Sequence, residues 1–328
     1  MNEDTLIAAL AEIVAPARSR VLVGIGDDAA VWQPSRSNRS VVTTDALVEG
    51  VHFNADWMSW REIGARALES NLSDLAAMGA RPVLATIALG VSAACERESL
   101  LELYRGIAAS AARAGCTIAG GDVTRTPVVT LALTLIGEAS PTRLKLRSGA
   151  KKGDAIVTTG KLGASRAGLC ALRGELALEG EHRAWALQAY RAPIARLDEG
   201  RWLAASTYVH AMMDVSDGLS TDLIRMCARS GVGAVIDALP ICDAARDAAH
   251  ALGVTPEAFV LAGGEEYELL AAVDGRAYRH LAARFRARFG RELFKVGDFR
   301  TEGGIVLRGE DGLDTPVVRT GWDSLESQ

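Results

Sequence analysis

Aspartate recurs beside glycine, serine or threonine at the ends of short apolar runs, and this pattern constrains the chain more than any other feature. It first appears in residues 24–31, which read Gly-Ile-Gly-Asp-Asp-Ala-Ala-Val and follow the apolar run Val21–Val23. It returns in four more segments: Thr43–Asp45, Asn71–Asp74, Gly120–Asp122 and Asp214–Gly218. Crowded carboxylates in apolar surroundings need a positive partner or a raised pKa. No lysine or arginine adjoins these acids, which predicts that a bound cation neutralises them.

The residue types in these segments indicate which cation they hold. Their side chains offer carboxylate and hydroxyl oxygens, whereas the chain has only five histidines and five cysteines. Such a hard, oxygen-rich set suits Mg2+, which commonly binds through carboxylates together with the phosphates of a ligand. The sequence therefore predicts a Mg2+-dependent phosphoryl-transfer enzyme.

Composition limits the remaining possibilities. A chain of 328 residues, 49% hydrophobic and 23% charged, is typical of a globular protein with two domains. We predict a boundary within residues 137–153, which gives an N-terminal domain at 1–138 and a C-terminal domain at 139–328. A net charge of -5 without a basic stripe argues against a nucleic-acid partner.

The N-terminus and the apolar segments of the sequence do not predict secretion or membrane insertion. The start, Met1–Asp4, is acidic and lacks the basic and apolar regions of a signal peptide. No uninterrupted apolar segment reaches about 18 residues, so we expect no membrane span and a cytoplasmic protein. The dispersed cysteines have no C-x-x-C spacing and are expected to be reduced, buried thiols.

Apolar periodicity predicts both helices and strands in this chain. Helical spacing appears in three N-terminal segments: Thr5–Val14, Trp60–Ala77 and Glu96–Ala114. Strand patterns appear in five segments: Val21–Val23, Val41–Thr44, Val83–Leu89, Val128–Ile136 and Ala155–Thr159. Because Asp45 and Gly120–Asp122 follow strand patterns, we expect them to lie at strand ends and to converge at one end of a sheet.

Several candidates have two interpretations from the residues alone. Thr43 and Thr44 suit either metal coordination or ordinary strand packing. Asp74 suits either a packed ligand site or the solvated face of a helix. Ser216 or Asp217 is suited to capping the helix that follows, or to holding metal near a phosphate.

Three further residues are equally ambiguous. Arg147 is a phosphate ligand or a linker arginine. Tyr104 is a ligand contact or a core aromatic, and Trp322 is a stacking surface or a residue that closes the core.

The ordered motifs resemble the thiamine-monophosphate kinase family along nearly the whole chain. Besides the five aspartate segments, the motifs that carry the resemblance are Glu49-Gly-Val-His-Phe53 and Gly263-Gly-Glu-Glu-Tyr-Glu-Leu269. Each motif alone is weak, whereas the series in this order is specific. One departure is Glu266, where the family usually has Asp.

The resemblance implies the two-domain fold of aminoimidazole ribonucleotide synthetase, an α/β (α+β) fold whose N-terminal sheet helps form a homodimer. It also implies ATP-dependent phosphorylation of thiamine phosphate to thiamine diphosphate, with several Mg2+ ions.

The resemblance further implies roles for individual residues. The metal shell would comprise eight residues, and its six aspartates are the predicted catalytic residues: Asp27, Thr43, Thr44, Asp45, Asp74, Asp122, Asp214 and Asp217. Gly121, Asp122, Arg147, Ser216 and Tyr104 would contact the nucleotide. His52, Glu265 and Trp322 would contact thiamine phosphate.

Two rival functions remain open at this point. One is another ATP-using member of the same superfamily, such as selenophosphate synthetase or an amidine synthetase of purine synthesis. Selenophosphate synthetase is expected to carry a reactive cysteine in an N-terminal glycine-rich loop, and no cysteine is so placed. The other rival is a non-catalytic module that binds Mg-ATP.

Overall fold

The computed structural model describes residues 3–14, 20–25, 29–301 and 303–322. The chain forms two compact units. Unit 1 comprises Met1–Leu75 with Ala80–Leu144, and unit 2 comprises Ala76–Gly79 with Lys145–Gln328. Asp27, the predicted metal ligand of the first motif, lies outside the described residues.

Unit 1 contains three helices and six strands among its described residues. In chain order they are α1 (Glu3–Ile13), β1 (Val21–Val23), β2 (Val31–Trp32), β3 (Arg39–Val48), α2 (Trp60–Ala77), β4 (Arg81–Val91), α3 (Arg97–Ala114), β5 (Thr117–Arg125) and β6 (Thr130–Ala139). The three predicted N-terminal helices are confirmed. Gly115, with a φ of 65°, adopts the left-handed conformation that ends α3.

Four strands of unit 1 form a sheet in the order β3-β6-β4-β5, in which β4 and β5 are parallel and the other pairs antiparallel. Leu131, Leu133 and Leu135 of β6 are fully buried, while Ala132 and Thr134 between them are partly exposed. This period-two burial means that one face of the sheet is packed and the other is open. Leu75 of α2 contributes to the packed face, because its methyl groups would touch a Cβ added at Gly137 of β6.

Two positions expected to follow strands lie within them. Asp45 is inside β3 and Gly120–Asp122 is inside β5, so the prediction that these strands end at the acids is wrong. Hydrogen bonding to β6 continues β3 as far as Val48, and pairing with β4 continues β5 as far as Arg125. Hydrogen bonding to the neighbouring strands therefore determines where β3 and β5 end, although a glycine or an acid in the sequence suggested an earlier end.

Unit 2 is built on a larger sheet. Its elements are β7 (Asp154–Thr158), α4 (Ala164–Leu172), α5 (Gly180–Arg191), α6 (Leu197–Ala204), β8 (Val209–Asp214), α7 (Leu219–Ser230), β9 (Gly233–Ile236), α8 (Asp243–Ala251), α9 (Pro256–Leu261), β10 (Leu269–Asp274), α10 (Tyr278–Phe289), β11 (Phe294–Arg300), β12 (Ile305–Arg308) and β13 (Asp314–Pro316). The sheet order is β13-β12-β9-β11-β7-β10-β8, with only the β12–β9 pair parallel among the described strands. Residues from β7, β8, α4, α7 and α8 share its hydrophobic core.

Across the described ranges, no helix has both the length and the apolar character that a membrane crossing requires.

Helices α2 and α3 cross where each carries a glycine. A Cβ added at Gly64 would lie 1.9 Å from the Leu103 carbonyl oxygen, and one added at Gly106 would lie 1.9 Å from the Arg61 carbonyl oxygen. Both obstacles are backbone atoms, which cannot move aside like a flexible side chain. Glycine at these two positions therefore sets the distance between the helices.

We expect Gly64→Ala and Gly106→Ala each to lower the free energy of unfolding by about 1–3 kcal/mol, because the added methyl group forces the helices apart. Chemical denaturation with near-ultraviolet circular dichroism measures this effect. Gly303→Ala is the matched control, since a Cβ there meets nothing within 4 Å. Unchanged stability of both helix variants would contradict the close crossing.

Candidate functional site

In unit 1, a hydrogen bond joins two of the predicted metal ligands. Thr43 Oγ1 on β3 donates a hydrogen bond to Asp74 Oδ2 on α2. Asp74 is partly buried, and this bond directs its carboxylate toward the sheet. Of the two interpretations of Asp74, the packed position is the one observed. Thr43 can orient the carboxylate for a ligand on its remaining lone pairs.

Asp45 and Asp122 occupy opposite edges of the four-stranded sheet. Asp45 pairs with Leu133 of β6, which pairs with Ile87 of β4, which in turn pairs with Gly121 of β5. Three strand spacings separate the edges, which amounts to about 14 Å. One ion therefore cannot bind both carboxylates directly within a single copy of this sheet.

Gly121 and Gly24, of the fourth and first aspartate segments, lie against neighbouring strands, and of the two only Gly121 is packed too closely for a side chain. A Cβ at Gly121 would lie 2.1 Å from the Ile87 carbonyl oxygen, so β5 approaches β4 too closely for any side chain. A Cβ at Gly24 would lie 3.8 Å from the Ala119 carbonyl oxygen. The chain that enters the first aspartate segment therefore runs beside β5, close in sequence to Asp122.

Thr44 and His52 make defined hydrogen bonds. Thr44 Oγ1 donates to the Leu133 carbonyl oxygen at 3.0 Å and accepts from Thr134 Oγ1 at 3.1 Å, which is ordinary cross-strand bonding. His52 Nδ1 accepts the Val48 backbone N–H at 3.2 Å, so a proton on the neutral ring resides on Nε2. This contact orients the ring so that Nε2 can donate to a ligand.

Tyr104 and Arg147 lie in contrasting surroundings. Tyr104 is 5% exposed within α3, and burial raises the pKa of its hydroxyl. Arg147 in unit 2 is exposed, and its carbonyl oxygen accepts a hydrogen bond from Ser230 Oγ at 3.1 Å. The Arg147 guanidinium is accessible to an anion, whereas Tyr104 packs in the core of unit 1.

In unit 2, backbone hydrogen bonds join three segments that are distant in sequence. Glu265 N–H donates to the Ser216 carbonyl oxygen at 2.6 Å, and Tyr267 N–H donates to the Val215 carbonyl oxygen at 2.9 Å. Trp322 N–H donates to the Asp217 carbonyl oxygen at 2.8 Å. The bonds from Glu265 and Tyr267 extend the pairing of β8 with β10 beyond the ends of the two strands. Five predicted site residues are thereby brought together: Asp214, Ser216, Asp217, Glu265 and Trp322.

Asp217 has a cationic partner that the sequence analysis did not identify. Arg225 Nη1, two turns along α7, donates to Asp217 Oδ2 and at 3.0 Å to Asp222 Oδ1. Asp222 is fully buried, and its Oδ2 accepts the backbone N–H groups of Ser216 and Asp217, each at 3.1 Å. The expectation that no arginine pairs with these acids is wrong for Asp217, because helical spacing brings a distant arginine back.

The start of α7 also settles a question left open by the sequence. Its N-cap is Gly218, and no side chain caps it. Ser216 and Asp217 therefore do not cap the helix. Instead, the Asp222 side chain in the first turn accepts hydrogen bonds from the backbone N–H groups of Ser216 and Asp217, which lie just before the helix.

Two further acids anchor the Gly263–Leu269 segment. Glu268 is 5% exposed, and Arg196 donates to it from Nε at 3.0 Å and from Nη2 at 2.6 Å. Arg291 Nη2 and Thr159 Oγ1 also donate to Glu268, at 2.7 and 2.6 Å. Burial opposes ionisation of Glu268, but these guanidinium groups hold its pKa below the usual range.

Glu266 has a different environment. Its Oε1 accepts the Gly163 backbone N–H at 2.8 Å, at the N-terminus of α4. Burial of the carboxyl group raises the pKa of Glu266 to about 8, with a smaller contribution from nearby Glu268. The raised pKa favours the protonated acid near neutral pH.

The donor set of these segments fits a hard divalent cation. Carboxylates and hydroxyls at Thr43, Asp45, Asp74, Asp214 and Asp217 are the oxygen ligands that Mg2+ prefers. Across the part of the chain that the structure describes, no three acidic, histidine or cysteine side chains are gathered into a ready-made metal cluster. Ligand phosphates commonly complete such Mg2+ sites, so incomplete protein coordination is compatible with this ion.

The sequence analysis missed Asp222, Arg225, Glu268 and Arg196 as supports of the site. Helical spacing from Asp217 through Asp222 to Arg225 is visible in the sequence, and it could have identified the first two. The partners of Glu268 lie 72 and 23 residues away along the chain. No local pattern identifies them.

Comparison with known proteins places this geometry in context. Residues 26–139 match the family described as AIR synthase related protein, N-terminal domain, and residues 151–307 match its C-terminal domain. The thiamine-monophosphate kinase of Corynebacterium glutamicum is 37% identical over 312 residues, which cover 92% of this chain and 88% of that protein.

Solved structures agree with this relationship. The thiamine-monophosphate kinase of Stenotrophomonas maltophilia K279a superposes with a TM-score of 0.80 at 33% identity, covering 94% of this chain and 95% of the other. AaThiL complexed with AMPPCP and TMP gives a TM-score of 0.77 at 28% identity, covering 98% and 97%. These similarities confirm the predicted two-domain α/β fold.

Proposed function

The chain belongs to the thiamine-monophosphate kinase family of the AIR synthase related proteins, and on that premise we infer its reaction. It catalyses ATP-dependent phosphorylation of thiamine phosphate to thiamine diphosphate. The 37% identity over nearly the full length of the Corynebacterium glutamicum enzyme carries this conclusion. The bound AMPPCP, an ATP analogue, and TMP in AaThiL agree with it.

The chemistry explains why acids dominate the site. ATP and thiamine phosphate are both polyanions, so cations must lie between them and acids must position the cations. The nucleophile is a phosphate oxygen that is largely deprotonated near neutral pH, so no strong general base is needed. Alignment and charge neutralisation then account for catalysis, and we propose direct in-line transfer without a phosphoenzyme.

We propose that Mg2+ is the metal and that the predicted acids hold it. In unit 1 the ligands are Thr43, Thr44, Asp45, Asp74 and Asp122, together with Asp27 outside the described residues. In unit 2 they are Asp214 and Asp217. Mg2+ would supply charge neutralisation at the phosphates, and Arg225 orients the Asp217 carboxylate that would hold the ion.

The substrate contacts are proposals of the same kind. Gly121, Ser216, Arg147 and Tyr104 are assigned to the nucleotide, although the burial of Tyr104 leaves its hydroxyl little access to ligand. His52, Glu265 and Trp322 are assigned to thiamine phosphate. The orientation of His52 Nε2 and the grouping of Glu265 with Trp322 support these assignments.

Purified protein is expected to form thiamine diphosphate and ADP only when ATP, Mg2+ and thiamine phosphate are all present. Product formation is measured by chromatography, with thiamine and other phosphate acceptors as controls. Mg-ATP binding without turnover would support the non-catalytic rival. Rapid-quench capture of a phosphorylated protein would contradict direct transfer.

Asp74→Asn and Asp122→Asn are each expected to lower kcat by about a hundredfold or more, because each removes charge from a metal ligand while keeping its shape. Steady-state assays at saturating Mg2+ measure the effect, and thermal unfolding checks the fold. Asp56→Asn is the matched control, since Asp56 is an exposed aspartate of unit 1. Near-normal turnover of both variants would overturn these two assignments.

We also propose that the chain is a homodimer through the open face of the unit 1 sheet. Val42 on this face is 62% exposed, and Ala46 and Ala88 on the same face are exposed as well. A solvated sheet face normally carries polar side chains, so small apolar residues favour contact with another copy. Asp45, which pairs with buried Leu133, and Asp122, which pairs with exposed Ala88, lie on opposite edges and opposite faces of one sheet, so an ion shared by them requires ligands from two copies.

Co-expressed Asp45→Asn and Asp122→Asn chains are therefore expected to recover about a quarter of wild-type activity, since half of the randomly formed dimers are mixed and each has one intact site. Activity of the mixed preparation is compared with that of each variant alone. Sedimentation velocity of the wild-type protein checks the dimer. A monomer in solution, or a mixture no more active than its components, would contradict the shared ion.

A further inference from the structure

The segment Glu265–Glu268 contains an unusual backbone. Glu265 has a φ of 60° and Tyr267 a φ of 51°, and within the described ranges they alone among residues other than glycine have positive φ. Each such residue costs about 1–3 kcal/mol and persists only where its surroundings enforce it. The conformation must therefore be held by specific contacts on both sides.

The loop between β7 and α4, residues 159–163, supplies contacts to the side chains of this segment. Gly163 N–H donates to Glu266, while Thr159 Oγ1 in the same loop donates to Glu268. Hydrogen bonds from this loop therefore hold the side chains of Glu266 and Glu268, the residues before and after Tyr267. Tyr267 itself is 7% exposed. Glu265, which precedes these two contacts in the chain, is partly exposed, as is Glu266.

Glu266, the residue after Glu265, makes one of these contacts. Its carboxyl group accepts backbone N–H groups from Gly163, Ser165 and Arg166 at the start of α4. Free amides at a helix N-terminus are strong donors, and the helix dipole adds to their attraction for an acceptor. Glycine is needed at residue 163, where φ is 96° and a Cβ would lie 2.5 Å from the Ala245 methyl group.

We propose that Glu266 is a positioning residue for thiamine phosphate binding, because its contact with α4 holds Glu265 in the left-handed conformation that directs the Glu265 side chain to the substrate. This inference rests on the proposed function of Glu265. Glu266 itself does not touch the substrate. The raised pKa of Glu266 agrees with this role, since a protonated acid still offers its carbonyl oxygen to the amides.

Glu266→Ala removes the contact and is expected to raise the KM for thiamine phosphate about tenfold, with the KM for ATP within about twofold of wild type. Glu266→Gln keeps the length and an acceptor oxygen, so its KM should stay within about threefold of wild type. Glu310→Ala, which removes an exposed glutamate of unit 2, is the control and should leave both KM values unchanged. Binding of thiamine phosphate in the presence of AMPPCP, measured by calorimetry, gives a second readout.

A double-mutant cycle separates positioning from general support of the fold. In the Glu265→Ala background, Glu266→Ala should weaken thiamine phosphate binding by less than about twofold further, because the positioned group is already gone. Fully additive effects, or an equal rise in the KM for both substrates, would overturn the inference. If the protein turns over thiamine phosphate but Glu265→Ala binds it normally, the inference fails and the proposed function stands. Absence of any turnover with thiamine phosphate refutes the proposed function itself.

Discussion

Carboxylates held in enclosed surroundings must be given partners, and this electrostatic requirement governs the candidate site. A buried charge without a partner costs several kcal/mol, whereas hydrogen bonds and opposite charges offset the loss of hydration. The protein meets this requirement with two kinds of donor. Guanidinium groups serve Asp217 and Glu268, and backbone amides at helix starts serve Asp222 and Glu266.

These partners also determine which acids remain available to a ligand. Asp222, Glu266 and Glu268 are committed to other parts of unit 2, so they support the site without needing a metal. Asp217 is held by Arg225, in a pair whose two side chains are both partly exposed. Such a partly exposed pair contributes little to the free energy of unfolding.

Backbone pairing explains how distant motifs become one site in unit 2. The ladder between β8 and β10 aligns Asp214 with Leu269, and irregular hydrogen bonds carry the alignment on to Ser216 and Glu265. The strained conformations at Glu265 and Tyr267 arise where this pairing leaves regular geometry. Strain concentrated at one segment of a well-packed domain is typical of a functional position.

The fold was largely predictable, because it depends on periodic patterns. The helical spacing in residues 60–77 and 96–114 corresponds to α2 and α3, and Gly115 ends α3 as its position suggests. The candidate site was less predictable. Asp45 and Asp122 were expected at strand ends but lie inside strands, because hydrogen-bonded neighbours, which local sequence does not specify, decide where a strand stops.

The sequence by itself determined the periodicity of the elements, the oxygen-rich chemistry of the motifs and the family to which the chain belongs. Only the tertiary structure decided which acids receive partners: Arg225 for Asp217, Arg196 and Arg291 for Glu268, and α4 for Glu266. The reason is physical. Periodicity and donor chemistry are properties of residues close together in the chain, whereas the neutralisation of a buried charge depends on groups that meet only after folding.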